Sequence, residues 1–317
     1  MASLKRFEGM SIDDFRKRFS SEQDCREYLF GQRWPEGFVC PRCGCKEAYH
    51  QQCRDLWWCR ECGYQVSVTA GTIFHKTHLP LWKWFWAIYR MGQGKKGLSA
   101  VQLMKEIDVS YPTAWLMMQK LRQAMQKRDA QYRLGGVIEL DDAFVGGQEE
   151  GRMGRGVEEK TPILVGVEER KSKDGKGKGK QKVKPGYAAI RVVEQVSAQA
   201  VKEFAQAKIS QKAQVKTDGF PSYQVLAKEG YQHEVSITGG GKEACELFPW
   251  VHVVIANLKR FILGTHHWVS RKHLDRYVGE FCYRLNRRYH EADLFEHLVH
   301  ACLAIGPFTL TMVVRMS

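Results

Sequence analysis

The chain has 317 residues, 44% of them apolar and 26% charged, enough for two or three modules that each bury a core of their own. Lysine and arginine outnumber aspartate and glutamate by 49 to 35, and the net charge of +14 makes a polyanion, nucleic acid first, the expected partner class. The first residues carry charge where a signal peptide needs an apolar core, and the most aromatic run, residues 79–91, is broken by Lys83 and Arg90 and too short for a bilayer, so no membrane partner is expected.

A cytoplasmic, nucleoid-associated protein follows from that reading, and in such a compartment the ten cysteines are expected to be thiols and not disulfides. Residues 1–35 read as a helical lead-in. Residues 36–70 then carry Cys40-Pro-Arg-Cys43 and Cys59-Arg-Glu-Cys62, two C-x2-C pairs fifteen residues apart. Each short turn offers two thiolates one tetrahedral edge apart, so the two pairs close a four-sulfur shell around a structural zinc ion, Zn2+. Gly44 and Gly63 follow the second cysteine of each pair, where the turn needs positive φ. Trp57, Trp58, Tyr64 and Val66 supply strands for the second knuckle, and Cys45 and Cys53, lacking the paired spacing, read as bystanders. A closed shell has no open position and does no chemistry.

The segment 71–130 reads as a helical DNA-binding region. Residues 81–90 are apolar nearly all round and fit a short buried helix. Ser99 is placed to cap a helix through Glu106 with Val101, Leu103 and Met104 inward. After a turn at residues 107–110, Ser110 caps a second helix with Pro112 in its first turn and Ala114, Met117 and Leu121 as its core stripe. Two short helices about a capped turn read as a helix-turn-helix whose second helix enters the major groove of double-stranded DNA, with Tyr111, Thr113 and Gln119 as candidates to face it.

From residue 136 the periodicity changes to that of strands. Residues 137–145, 162–168 and 187–193 read as strands one to three, 197–209 as a helix, 213–218 as a fourth strand and 231–237 as a fifth. Between strands two and three, residues 171–184 hold seven lysines and read as a solvated hairpin loop or a track for a DNA backbone. This order matches an α/β, RNase H-like catalytic domain over residues 131–317, C-terminal helices included, preceded by the zinc ribbon and the small helix-turn-helix domain. Asp141 lies on the first strand and Asp218 ends the fourth. If those strands are neighbours, the two carboxylates converge at one rim of the sheet, where hard oxygen ligands can hold two magnesium ions for in-line phosphoryl transfer.

With the ribbon and the helix pair, the segments IELDDAFVGG, VKTDGFPSY, VHVVIANLKRFILGTHH and HLDRYVGEFCYRLNRR resemble the transposases of the ISXO-type insertion sequences, a DDE-like family with a zinc-ribbon N-terminus. The resemblance implies cleavage and joining of DNA strands with Mg2+ or Mn2+, recognition of terminal inverted repeats and of target DNA, and a homo-oligomer, at least a dimer, on that DNA. By position the family's first two aspartates are Asp141 and Asp218, and its frequent aspartate-glutamate dipeptide is Asp141-Asp142 here. The third position, where a glutamate is usual in the broader class, falls on Asn257, with Lys259 two residues on; Asn257 would offer a neutral carbonyl oxygen to one ion. Glu280 is the rival third ligand, although Arg276 and Arg284 four residues either side suit an ion-paired helix face. Lys259, Arg260, His266 and His267 are expected near the phosphates. An inactive DNA-binding regulator and an RNase H-like nuclease are the alternative readings.

Overall fold

A computed structural model describes residues 9–94, 96–146, 160–171, 183–237 and 246–315. The chain divides into two compact units, one running to Arg128 and resuming at Tyr289, the other spanning Asp129–Arg288.

In the first unit, α1 (Ile12–Arg18) and α2 (Glu22–Arg33) each begin with a capping box, Ser11 with Asp14 and Ser21 with Asp24. The ribbon follows as an antiparallel sheet of β1 (Ala48–Gln51), β2 (Leu56–Cys59) and β3 (Gln65–Val66). Then come α3 (Leu81–Gln93), α4 (Ala100–Ile107) and α5 (Tyr111–Asp129). Ser99 caps α4 by accepting the Gln102 amide, and Asp108 takes the left-handed conformation that turns the chain toward α5. On α4 Leu103 and Ile107 are buried, whereas Val101, expected inward, is exposed: it lies outside the arc that Leu103 and Ile107 set four residues apart. The α5 stripe of Ala114, Met117 and Leu121 is buried as expected.

The second unit is built on β4 (Val137–Val145), β5 (Thr161–Lys171), β6 (Val183–Val192), α6 (Ala198–Lys208), β7 (Gln214–Thr217), α7 (Val225–Lys228), β8 (Gln232–Val235), α8 (Pro249–Phe261) and α9 (Arg271–Asn286). Its sheet runs β6-β5-β4-β7-β8, antiparallel from β4 through β5 to β6 and parallel from β4 through β7 to β8. Two cores flank it. Ile138 and Leu140 pack with Val201 and Phe204 of α6 on one face, while Ala143 and Val145 pack with Val254 and Leu258 of α8 on the other. Strand alternation therefore sends Asp141 toward α8 and Asp142 toward the α6 side. Gly166 of β5 keeps the α6 face close: a Cβ there would lie 3.0 Å from Leu134 Cδ1 and 3.3 Å from the Phe204 ring. Three antiparallel strands followed by two parallel ones, helices on both faces, is the RNase H-like arrangement. Most of the lysine-rich run, residues 172–182, lies outside the described residues.

One boundary differs from the expectation. The helices α10 (Leu294–Leu303) and α11 (Leu310–Arg315) belong to the first unit, so the catalytic unit ends at Arg288 and not at residue 317. The cause is aromatic packing: the Phe295 ring lies 5.4 Å from that of Phe19, 6.0 Å from Tyr28 and 5.8 Å from Phe85.

Candidate active site and metal-binding residues

In the ribbon the Sγ atoms of Cys40, Cys43, Cys59 and Cys62 all lie within 4.8 Å of one another. Cys40 and Cys62 are 3.7 Å apart and Cys43 and Cys59 3.5 Å apart. A tetrahedron of sulfurs about 2.3 Å from a zinc ion has edges of about 3.8 Å, so the four thiols fit that ion. The knuckles are shaped by Gly44 and Gly63, at φ 78° and 66°, whose amides bond back to the Cys40 and Cys59 carbonyls. The Cys62 backbone amide, joined by that of Glu61, pulls the Cys59 thiol down to about 6, toward the thiolate that a metal needs. Cys45 stays outside the cluster with its sulfur on the Glu47 amide, and Cys53 is exposed.

The candidates for DNA contact on α5 separate. Tyr111 is 47% exposed, and the Thr113 hydroxyl is bonded to that of Ser110. Gln119 is completely buried, so it does not face DNA; from Met117 to Met125 every residue of α5 but Lys120 is buried.

In the second unit the pairing of β4 with β7 runs parallel through Ile138 with Val215 and Glu139 with Lys216. Asp141 stands two residues beyond Glu139 on β4, and Asp218 directly follows the last residue of β7, so both carboxylates lie toward the same end of the sheet. Asp218 is held by its own turn, its Oδ1 accepting the Phe220 amide at 3.0 Å. Asp141 Oδ1 accepts the Asp142 amide at 2.8 Å. Asp142 turns to the other face, where its Oδ1 accepts the hydroxyl of the buried Tyr223 at 3.0 Å. Burial first, then the charges of Asp142, Asp141 and Asp218, drives the Tyr223 phenol far above its ordinary range, so it stays a protonated donor among three aspartates.

A cleft of about 500 Å³ opens on Asp141 and is lined also by Lys160, His252, Lys259, His267 and Trp268. Its α8 wall is positioned by Glu139, whose Oε2 accepts the amides of Trp250 and Val251 at 2.8 and 2.7 Å, in the first turn of that helix. Burial, with the charge of Glu169 adding to it against the pull of those amides, raises the Glu139 carboxyl to about 7. The next helical residue, His252, brings Nδ1 to 3.8 Å from Asp141 Oδ2.

The third position therefore looks different from the expectation. Asn257 is five residues on from His252, about 140° round the helix, and, like Asp218, is not among the residues lining the cleft. Its Oδ1 accepts from Arg260 at 3.0 Å. Glu280 is fully buried in α9 and ion-paired with Arg284 at 3.3 Å, as its flanking arginines suggested. Lys259 and His267 line the cleft, whereas Arg260 serves Asn257 and the His266 ring stands edge-on to Phe261 and Tyr277. Four participants were not singled out from the sequence: His252, Glu139, Tyr223 and Lys160. For His252 the signal was there, since His252, Ile255, Lys259 and Ile262 fall on one helical face.

Residues 133–286, which enclose this cleft, match the ISXO2-like transposase domain, and residues 20–65 match the transposase zinc-ribbon domain. The chain belongs to the ISXO2-like transposases. A relative of this transposase from Halobacterium salinarum, the uncharacterized protein in transposable element ISH50, is 26% identical over 292 residues, 84% of this chain and 91% of that protein. The crystal structure of a pre-cleavage Mos1 transpososome aligns at 12% identity over 67% of this chain and 76% of its own, with a TM-score of 0.25, too loose to relate residues between the two. The cleft of Asp141 thus lies within the matched ISXO2-like transposase domain, and the matched ribbon holds the cluster of Cys40, Cys43, Cys59 and Cys62. No helix among the described residues is long and apolar enough to cross a membrane.

Proposed function

We propose that this transposase binds the terminal inverted repeats of its insertion sequence and cleaves and rejoins DNA strands at Asp141 and Asp218 with divalent metal ions. The observation that supports the reading is the parallel pairing of β4 with β7, which brings Asp141 and Asp218 to the same end of the sheet, with His252 Nδ1 3.8 Å from Asp141 Oδ2. Two carboxylates and an imidazole are donors that Mg2+ and especially Mn2+ accept. Bound there, the ions supply Lewis-acid polarisation of a phosphate and a nucleophilic oxygen at neutral pH.

The chain's own residues do the rest. Tyr223 holds Asp142 by its hydroxyl and so fixes the strand on which Asp141 stands. Lys160, Lys259 and His267 line the cleft and draw in the phosphodiester. His252 takes the third position, ahead of Asn257 and Glu280. The ribbon, with zinc as a structural ion, and the helix pair α4–α5 supply end recognition, and pairing two ends requires at least two copies of the chain.

The test is strand transfer by the purified full chain on a duplex that carries the element's end, with Mg2+ or Mn2+ added. Asp141→Asn and Asp218→Asn are each expected to abolish cleavage and joining while binding to the end persists. Cleavage by either variant at the native rate would remove the assignment.

A further inference from the structure

The chain leaving α8 places two large apolar side chains in the open. Trp268 is 66% exposed and Leu263 56% exposed, and both line the cleft that holds Asp141. An exposed indole beside a site is informative because burial is its favoured state. The backbone that presents it is itself unusual. Ile262–His266 forms a π-helical turn, and His267 then sits at φ 58° and ψ −53°. The Trp268 amide donates to the His266 carbonyl at 2.6 Å, which closes a three-residue turn of the disfavoured hand. π-Turns and left-handed non-glycine residues persist where surrounding structure holds them, and they gather at functional sites.

The surroundings identify the occupant. Lys160, Lys259 and His267 line the same cleft as the indole. A lipid or an apolar helix would have to desolvate those cations for nothing, whereas a nucleotide brings a phosphate for the cations and a π-face for the ring. Base-to-aromatic stacking is also indifferent to sequence, as a group that serves both element end and target must be.

We infer that Trp268 is a stacking platform for an unpaired nucleobase of the DNA strand, next to the phosphate that reacts at Asp141. The inference rests on the reading of the cleft given under Proposed function. The indole takes the place of a neighbouring base and stabilises a locally opened duplex, which lets the phosphate reach the rim of the sheet.

Two measurements on the full chain test it. The first uses the Asp141→Asn protein and an element-end duplex with 5-iododeoxyuridine at single positions flanking the cut. Irradiation is expected to cross-link one of those positions to the peptide that contains Trp268. The second compares rates on paired ends and on ends whose flanking nucleotides are mismatched. Trp268→Ala is expected to slow cleavage of paired ends roughly 5- to 100-fold and to recover on mismatched ends, with Trp268→Phe within about threefold of native. Equal loss on both substrates, an unchanged rate on paired ends, or cross-links that map elsewhere would each overturn the platform. So would a Trp268→Ala change confined to self-association without DNA, which makes the indole an interface with a second copy. Cross-linking at Trp268 by a chain whose native form cuts neither substrate would keep the base site and reject the catalytic reading.

Discussion

The carboxylate of Glu139 accepts the backbone amide of Val251 at 2.7 Å, and with the Trp250 amide on the same oxygen this bond ties the strand of Asp141 to the helix of His252. Glu139 and Asp141 are two apart on β4 and so share a face, while Val251 and His252 are successive residues of α8. The pairing of Glu139 with the helix start therefore sets how far His252 stands from Asp141.

Glu139→Ala should both destabilise the fold and loosen the site. It removes the acceptor of two helix-end amides, that of Val251 buried and that of Trp250 partly so, a loss of about 1–3 kcal/mol. Glu139→Gln keeps one acceptor oxygen and is expected to recover most of the melting temperature and most of the strand-transfer rate. Thermal unfolding beside activity decides it; an alanine variant that melts and reacts like the native chain removes the tie.

Much of this was legible in the chain because the signals were local. The double C-x2-C needs only two short turns and two glycines, and the ribbon formed around the four cysteines that spacing picked out. The alternation of residues 137–145 placed β4 at its observed limits, and β7 pairs with β4 as the fold order implied. What stayed hidden was rotation and long-range packing. Asn257 and His252 lie on one helix, and only the direction in which Val251, Val254 and Leu258 bury tells which of them meets Asp141. Gln119 carries a polar amide that reads as a surface contact, yet the helix turns it inward. Phe295 joins rings from residues before 90, a closure that no local pattern announces.

The burial of Gln119 gives an opposite pair of outcomes on α5. Neither amide atom of its side chain has a hydrogen-bond partner among the described residues. Gln119→Met fills the same space without an unsatisfied amide and is expected to raise stability by about 1 kcal/mol or more, with end preference unchanged. Tyr111→Ala, at an exposed position on the same helix, should leave the melting temperature within a degree or two and weaken discrimination between repeat and random DNA by roughly tenfold. Competition binding at fixed salt, with unfolding curves, separates the two; loss of preference in Gln119→Met would reverse the assignment of faces.

Metal removal should act on the two modules differently. The ribbon thiols fit one zinc ion, so the purified chain is expected to hold about one tightly bound zinc. Cys40→Ser with Cys59→Ser should lose it, unfold the ribbon and abolish end preference, while weak, salt-sensitive DNA binding persists through the basic surplus. Full zinc retention by the double variant, measured by elemental analysis, would mean other ligands.

The last expectation concerns the third position at the catalytic cleft, where helix geometry and family position disagree. His252 faces Asp141 at 3.8 Å, whereas Asn257 binds Arg260 about 140° round the same helix. His252→Ala should therefore lower strand transfer by roughly 100-fold or more, an effect of the size seen when a group at the reacting centre is lost. Asn257→Ala releases one exposed hydrogen bond and should remain within a few-fold of native, since such bonds contribute about 1 kcal/mol. The donor type gives a second, independent readout. Imidazole is a poor ligand for magnesium and a better one for manganese, so the native chain should prefer Mn2+ to Mg2+. His252→Glu supplies a hard oxygen and a negative charge at the same place and should shift that preference toward Mg2+. A structural role for His252 would lower both rates together and leave their ratio where it was. Should Asn257→Ala be inactive with its fold intact, and His252→Glu leave the metal ratio unchanged, the third ligand is Asn257 and α8 must rotate when DNA and metal arrive.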